Sequence, residues 1–277
     1  MRRTVIVDGG RVRVRDTGDG AEPILLVHGD WTDSGVWDPV AKLLRERFRV
    51  IAYDEPGYGN SPPPTAAYTR AGNLRALLDR FDIKRAVLVA HSGGANAAIG
   101  LALDEPERVS SLILIAPGTH DYPWPEDDPY LRDFAAGDPG SRLALALRTW
   151  SAAKPADPVI RAQFRRVMAG RPKIGVLDMP GPPVFERLSD VTTPTTVVVG
   201  DLEYPMVSAS SADIAERIPD ATLTKVKGAD HMLPWRTPDK LAEIIVKQAG
   251  RAGPKGQAGP KRPSSRRTAA AGARTSS

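Results

Sequence analysis

The sequence predicts an α/β protein: a mostly parallel, eight-stranded sheet with helices on both faces, plus a small helical insertion. Short, wholly apolar runs such as Ile24-Leu25-Leu26-Val27, Ala86-Val87-Leu88-Val89 and Leu112-Ile113-Leu114-Ile115 suit strands buried on both faces. Segments with apolar residues at helical spacing alternate with these runs along the chain. The length, 277 residues, fits one domain with an insertion, and a hydrophobic share of 41% is ordinary for a globular chain and too high for a disordered one.

The elements follow in order. Thr4–Val7 and Arg11–Arg15 flank Asp8-Gly9-Gly10, and Val12 and Val14 alternate with Arg11, Arg13 and Arg15, which reads as a hairpin with one wet face. After the Ile24–Val27 strand, Val36, Val40, Leu43 and Leu44 mark a helix over Val36–Arg45. Val50–Tyr53 is a strand ending at Asp54, and Leu74, Leu77, Leu78 and Phe81 mark a helix over Thr69–Phe81. Ala86–Val89 is a strand, Ala95–Leu103 a small-residue helix stopped near Pro106, and Leu112–Ile115 a strand. Further on, Thr195–Val199 and Thr222–Val226 are strands, followed respectively by helices at about Ala209–Ile218 and Pro238–Ala249.

Residues 118–189 interrupt the alternation with many prolines and two helices. Ser141 is the expected N-cap of a helix over Arg142–Ala153. Asp157-Pro158 starts another, which runs to Ala169 with Gly170 placed to end it. Such an insertion reads as a lid where open α/β sheets bind ligands, outside the carboxyl ends of the strands. The division is then a core of 1–117 and 190–250, a lid of 118–189 and a tail of 251–277.

The tail holds most of the excess positive charge. Seven of the 38 Lys and Arg residues fall in 251–277, which has no acid, so residues 1–250, with all 33 Asp and Glu, carry a net charge of −2. The tail is rich in Gly, Ala, Ser and Pro, has no large apolar residue to bury, and is expected to be disordered. Its charge would attract nucleic acid weakly; the acidic body argues against that partner.

Composition excludes several chemistries. With no Cys there is no disulfide, iron–sulfur cluster or cysteine nucleophile, and four His are too few for a His-rich metal site. No apolar run approaches the ~18 residues of a membrane span. The basic start, Met1-Arg2-Arg3, has no apolar core of a secretory signal behind it, so a cytoplasmic location without a membrane partner is expected. Gly57-Tyr58-Gly59 lacks the spacing of a dinucleotide loop, and no cofactor is expected.

The Ala86–Val89 strand runs into Ala90-His91-Ser92-Gly93-Gly94 and then an Ala-rich helix. A serine hydroxyl is a weak nucleophile unless it projects beside a base. A sharp strand-to-helix turn projects it, tolerating only small residues at −2 (Ala90) and +2 (Gly94), and the helix N-terminus points amide N–H groups at the site.

This elbow resembles that of the α/β-hydrolase superfamily, in its serine esterase and lipase-like branch with a helical lid; Ala90 stands for the first glycine of G-x-S-x-G. Three other segments are similar in chain order: Val27-His28-Gly29-Asp30-Trp31, Asp54-Glu55-Pro56-Gly57-Tyr58-Gly59-Asn60-Ser61, and Gly228-Ala229-Asp230-His231. The resemblance implies Ser92 as nucleophile, His231 as base, and the backbone N–H groups of Asp30 and Gly93 as oxyanion hole, an Asp being unusual at position 30. It puts Glu203, in Gly200-Asp201-Leu202-Glu203, at the acid position, with Asp201 and then Asp121 as alternatives. His28 reads as a structural residue beneath the site, and His91 as turned away from the Ser92 hydroxyl. Trp31, Trp124, Trp150 and His120 are pocket candidates, Trp235 a further one.

The expected function is hydrolysis of a small ester or lactone through an acyl-enzyme. The same fold and Ser–His pair leave open a perhydrolase, a carbon–carbon hydrolase, a hydroxynitrile lyase or a cofactor-free oxygenase. They also leave open a small-molecule receptor with vestigial hydrolysis. An Asp nucleophile, as in haloalkane dehalogenases and epoxide hydrolases of the superfamily, is excluded by Ser92.

Overall fold

A computed structural model describes residues 1–18, 22–152, 157–174 and 178–251. Strands β1 (Arg2–Val7) and β2 (Gly10–Asp16) form the antiparallel hairpin, Val5 pairing with Val12. Then come β3 (Pro23–Val27), α1 (Asp38–Leu44), β4 (Arg49–Asp54), the short β5 (Tyr68–Thr69), α2 (Arg70–Arg80), β6 (Ala86–His91), α3 (Gly94–Asp104) and β7 (Val109–Ile115). Helices α4 (Pro129–Ala136), α5 (Pro139–Trp150) and α6 (Pro158–Ile174) fill the interruption before β8 (Asp178–Met179). The chain then returns through β9 (Thr195–Gly200), α7 (Pro205–Arg217), β10 (Thr222–Val226), α8 (Leu233–Arg236) and α9 (Pro238–Arg251).

Among the described residues the main sheet has eight strands, in the order β1-β2-β4-β3-β6-β7-β9-β10. The β1/β2 and β2/β4 pairs are antiparallel and the rest parallel. From β3 the chain steps outward to β4, then crosses back to β6 on the other side. This reversal leaves a crevice at the carboxyl ends of β3 and β6, where such sheets bind ligands.

Strand side chains alternate between two cores. Ile24, Leu26, Val50, Ala52, Val87 and Val89 join Trp37 and Val40 near α1, with Leu241 and Ile245 of α9. Leu25, Val27, Ile51, Tyr53, Leu88 and Ala90 face the other way, onto Leu74, Leu77 and Leu78 of α2 and Ala98, Ile99 and Leu101 of α3. The apolar strand runs are therefore buried on both sides, as the sequence pattern requires.

The structure corrects several local expectations. The Val36–Arg45 helix divides into a 3₁₀ turn, Ser34–Trp37, and α1, with Pro39 in the first turn and Leu43 facing solvent. Asp138, not Ser141, caps α5: its carboxylate accepts N–H bonds from Gly140 (2.8 Å) and Ser141 (3.2 Å), and Pro139 takes the first helical position. Helix α6 passes through Gly170, since one glycine costs a helix only about 1 kcal/mol. Helix α7 begins at Pro205 rather than Ala209. Helix α4 was missed although Asp128-Pro129 gives it the same start as Asp157-Pro158 and Tyr130 and Phe134 stand at helical spacing; the β5/β8 pair, two residues a strand, is too short for a periodic signal. Residues 252–277, where nearly all of the basic tail falls, lie outside the described residues.

Leu88 lies in the middle of β6 and is fully buried. Leu88→Ala is expected to lower the unfolding free energy by about 2–5 kcal/mol, measured by urea denaturation.

Candidate active site

The turn from β6 to α3 carries Ser92 in the left-handed region, φ +52°. A non-glycine residue held there is strained and needs support from its surroundings. The Ser92 N–H donates to the Ile115 carbonyl at 2.9 Å, and the Ser92 carbonyl accepts from Ala95 N–H (2.9 Å) and Gly118 N–H (3.1 Å). The +2 residue must be glycine: a Cβ on Gly94 would stand 2.6 Å from the His28 carbonyl oxygen. The turn thus packs directly against the loop after β3.

From the far end of the chain, the loop after β10 brings His231 to the same place. Its Nε2 lies 3.0 Å from Ser92 Oγ and its Nδ1 2.9 Å from Glu203 Oε2. The carboxylate is an acceptor, so Nδ1 carries the proton and donates to it, leaving Nε2 to accept from the serine hydroxyl. The other oxygen of Glu203 accepts the Tyr204 N–H at 2.8 Å. His231 and Glu203 are buried and Ser92 is half-buried.

The two loops are tied together. Leu202 N–H donates to the Ala229 carbonyl (3.0 Å) and Gly228 N–H to the Asp201 carboxylate (2.6 Å). A Cβ on Gly200 would collide with the Ala229 carbonyl, so β9 meets the histidine loop only through a residue without a side chain.

Of the three candidate acids, Glu203 alone contacts His231 here. Asp201 is an exposed turn residue, and Asp121 accepts the Phe185 N–H at 2.7 Å. Trp150 packs against His231, its ring centroid 4.8 Å from that of the imidazole. Trp31 packs instead against Phe134 of α4 and Phe164 of α6. Trp124 is half-buried beside Tyr122, and Trp235 packs against the core on the α1 side. His120 is exposed, with Nδ1 3.2 Å from the Pro180 carbonyl, on a cleft it shares with Arg70, Gly93 and Asn96. Asp30 and Gly93 meet: the Asp30 carboxylate fills the space a Cβ at 93 would need.

The remaining histidines support the site from behind. His28 Nε2 accepts the Glu55 N–H at 3.1 Å and Nδ1 donates to the Gly29 carbonyl at 2.9 Å; burial holds its pKa below the usual value. His91 Nε2 donates to the His231 carbonyl at 2.8 Å, and burial followed by the neighbouring His231 keeps it neutral. Sequence reasoning had given His91 no partner, and it missed Arg70 altogether. The one available signal for Arg70 was a cation at the first position of a helix, where the dipole opposes it.

Among the described residues no group of three or more His, Asp or Glu is placed to hold a metal ion, and no helix is long and apolar enough to cross a membrane.

An open, mostly parallel sheet with a serine on a strained turn and a histidine–carboxylate pair beside it defines a hydrolase fold. Residues 24–244 match the model of the alpha/beta hydrolase family, and the chain belongs to that family. A 2-hydroxy-6-oxononadienedioate/2-hydroxy-6-oxononatrienedioate hydrolase from Cupriavidus pinatubonensis is 25% identical over 85% of this chain and 89% of its own. A 2-(acetamidomethylene)succinate hydrolase from Mesorhizobium japonicum is 29% identical over 87% and 92%. Among solved structures, the enol-lactonase from Burkholderia xenovorans has a TM-score of 0.73 and 22% identity, covering 90% of this chain and 100% of its own. The chain is accordingly placed with the hydrolases of this fold.

Two outcomes test the local geometry. Gly200→Ala is expected to push the Ala229 carbonyl away, cost about 2 kcal/mol of stability, and abolish or shift the low-field NMR resonance of the His231 Nδ1–H. Glu55 is the second test. Burial pushes its carboxyl from 4.5 up to about 7, against the pull of Arg70 and of hydrogen bonds from Tyr53 (2.6 Å) and Asn73 (2.7 Å). Below pH ~4.5 it is protonated in both the folded and unfolded chain; between ~4.5 and ~7 only the unfolded chain releases the proton, so stability falls as pH rises. The loss should total on the order of 3 kcal/mol. Glu55→Gln should remove this slope, so that its stability relative to the parent rises across that window in denaturation curves at several pH values.

Proposed function

We propose that this chain is a serine hydrolase that cleaves a small ester or lactone through an acyl-enzyme, with Ser92 as nucleophile, His231 as base and Glu203 as acid. The observation that carries this reading is the continuous chain of contacts Ser92 Oγ–His231 Nε2–His231 Nδ1–Glu203, at 3.0 and 2.9 Å.

In the first step Ser92 Oγ attacks the carbonyl carbon while His231 Nε2 takes the hydroxyl proton; Glu203 steadies the imidazolium. The negative charge moves to the carbonyl oxygen, facing the N–H groups of Asp30 and Gly93. Collapse expels the alkoxide, which leaves with the proton from His231. Water then gives a proton to His231 and attacks the acyl carbon, and the second collapse frees the acid and returns the proton to Ser92. A lactone follows the same path, with both products joined in one hydroxy acid. No cofactor enters any step.

Residues 118–189 serve as the lid in this reading, over a core of 1–117 and 190–250. Its support is the placement of Trp150 on His231 and of Tyr130 and Phe164 in one apolar cluster with Trp31, which would shield an acyl group from water. The partner is a small ester-like molecule, and the location the cytoplasm.

One observation favours a second reading, carbon–carbon hydrolysis. The Cupriavidus relative is named for a hydroxy-oxo-dienedioate, a compound without an ester bond. The experiment treats the protein with a fluorophosphonate and maps the adduct by mass spectrometry, then assays Ser92→Ala on p-nitrophenyl esters, lactones and a 2-hydroxy-6-oxo-dienoate. The adduct is expected on Ser92, and the variant is expected to lose about 10³-fold or more in ester turnover. More than a few per cent residual ester activity, or an adduct elsewhere, overturns the assignment; turnover of the dienoate with no ester or lactone cleavage selects the second reading.

A further inference from the structure

We propose that Arg70 is a positioning residue for the oxyanion side of the site, its guanidinium neutralising the Asp30 carboxylate that lies against Gly93. The proposal rests on the serine-hydrolase reading above and adds to it a residue outside the Ser92–His231–Glu203 chain.

Arg70 is an unfavourable residue where it stands. It is the first residue of α2, where the helix dipole is positive, and its side chain is only 6% exposed. A buried charge persists only if partners compensate its lost hydration. Its partners come from three separate segments. Nη1 is 2.8 Å from Asp30 in the loop after β3, Nε is 3.1 Å from Asp178 in β8, and Nη2 donates to the Tyr58 hydroxyl at 2.8 Å, with the guanidinium also 5.2 Å from the centre of the Tyr58 ring. Burial opposes the charge, but Tyr58, Asp30, Asp178 and Glu55 outweigh it, and Arg70 stays protonated.

The contact with Asp30 differs in kind from the other two. At 2.8 Å it is close, yet Nη1 makes no hydrogen bond of acceptable geometry. The link is electrostatic rather than directional, so what Asp30 receives from Arg70 is mainly charge.

Asp30 has reason to need it. Its carboxylate takes the place of a Cβ at Gly93, the residue that follows the nucleophile. Negative charge developing on a substrate oxygen next to Ser92 would be repelled by this carboxylate, whose side chain is part-buried. Paired with Arg70, Asp30 can hold its backbone N–H at the site without presenting net negative charge. Arg70 and Gly93, the residue after Ser92, also line one cleft, with Asn96, Met179 and Pro180.

The test uses the full chain and first confirms fluorophosphonate labelling of Ser92 in the parent; absence of labelling there would sink the serine-hydrolase reading itself, and this proposal with it. With labelling established, kcat and KM for p-nitrophenyl acetate and the rate of fluorophosphonate inactivation are measured for Arg70→Lys, Arg70→Met and Arg70→Met/Asp30→Asn. Arg70→Met is expected to lower kcat and the inactivation rate about tenfold or more with KM changed less than about threefold. Arg70→Lys keeps the charge and should stay within about threefold of the parent. Adding Asp30→Asn to Arg70→Met removes the negative charge at position 30 and should restore most of the lost rate, whereas a merely structural Arg70 predicts a further loss. Should Arg70→Met fail to fold, Arg70→Met/Asp178→Asn replaces it as parent, with and without Asp30→Asn. A double variant no faster than its parent, or an Arg70→Met enzyme with unchanged kcat, overturns the proposal.

Discussion

The left-handed backbone at Ser92 is the constraint on which the rest of the site depends. A serine at φ +52° is unfavourable by itself and persists because its own N–H and carbonyl are both engaged, one by β7 and the other by α3 and Gly118. The tightness of that turn brings α3 against the loop after β3. The same contact fixes where His28, Gly29 and Asp30 lie relative to the hydroxyl. Strain at one residue thus sets the spacing of several others.

The imidazole opposite is positioned in a different way, by backbone hydrogen bonds rather than strain. His231 sits on a loop bonded to the Glu203 loop through Leu202 and Ala229, and its carbonyl accepts from the buried His91 beside Ser92. The two ends of the chain that supply the Ser–His contact are therefore connected twice, once through the side chains and once behind them. Neutral His91 suits this role because it can donate one hydrogen bond without adding charge next to the His231 imidazole.

Beneath the loop after β3 lies a polar layer unusual for a core: Tyr53, Glu55, Asn73, Arg70, Tyr58 and Asp178. Its members come from β4, the turn after it, α2 and β8, so it joins the core to the end of the 118–189 segment. Such a network is stable only when its members satisfy one another.

Much of the fold was legible because it depends on local rules. Apolar four-residue runs alternating with helical segments suit strands in a covered sheet, and Val12 and Val14 alternating with arginines suit a strand with one wet face. The elbow around Ser92 was legible for a steric reason, since few residues fit beside a turn that tight, whereas Glu203 and His231 were singled out only by resemblance to the α/β-hydrolase family. The β5/β8 pair was missed because two-residue strands carry no period and form only where neighbours place them, whereas the Asp-Pro starts of α4 and α5 were local signals left unread. The sequence alone determined which strands are buried and which serine is projected, because sterics and burial act within a few residues. Only the tertiary structure decided that Arg70 meets Asp30 and Asp178, and that His91 meets the carbonyl of His231. Those contacts join residues 40 to 140 positions apart, and electrostatic and hydrogen-bond partners at such separations are chosen by how the sheet is wound.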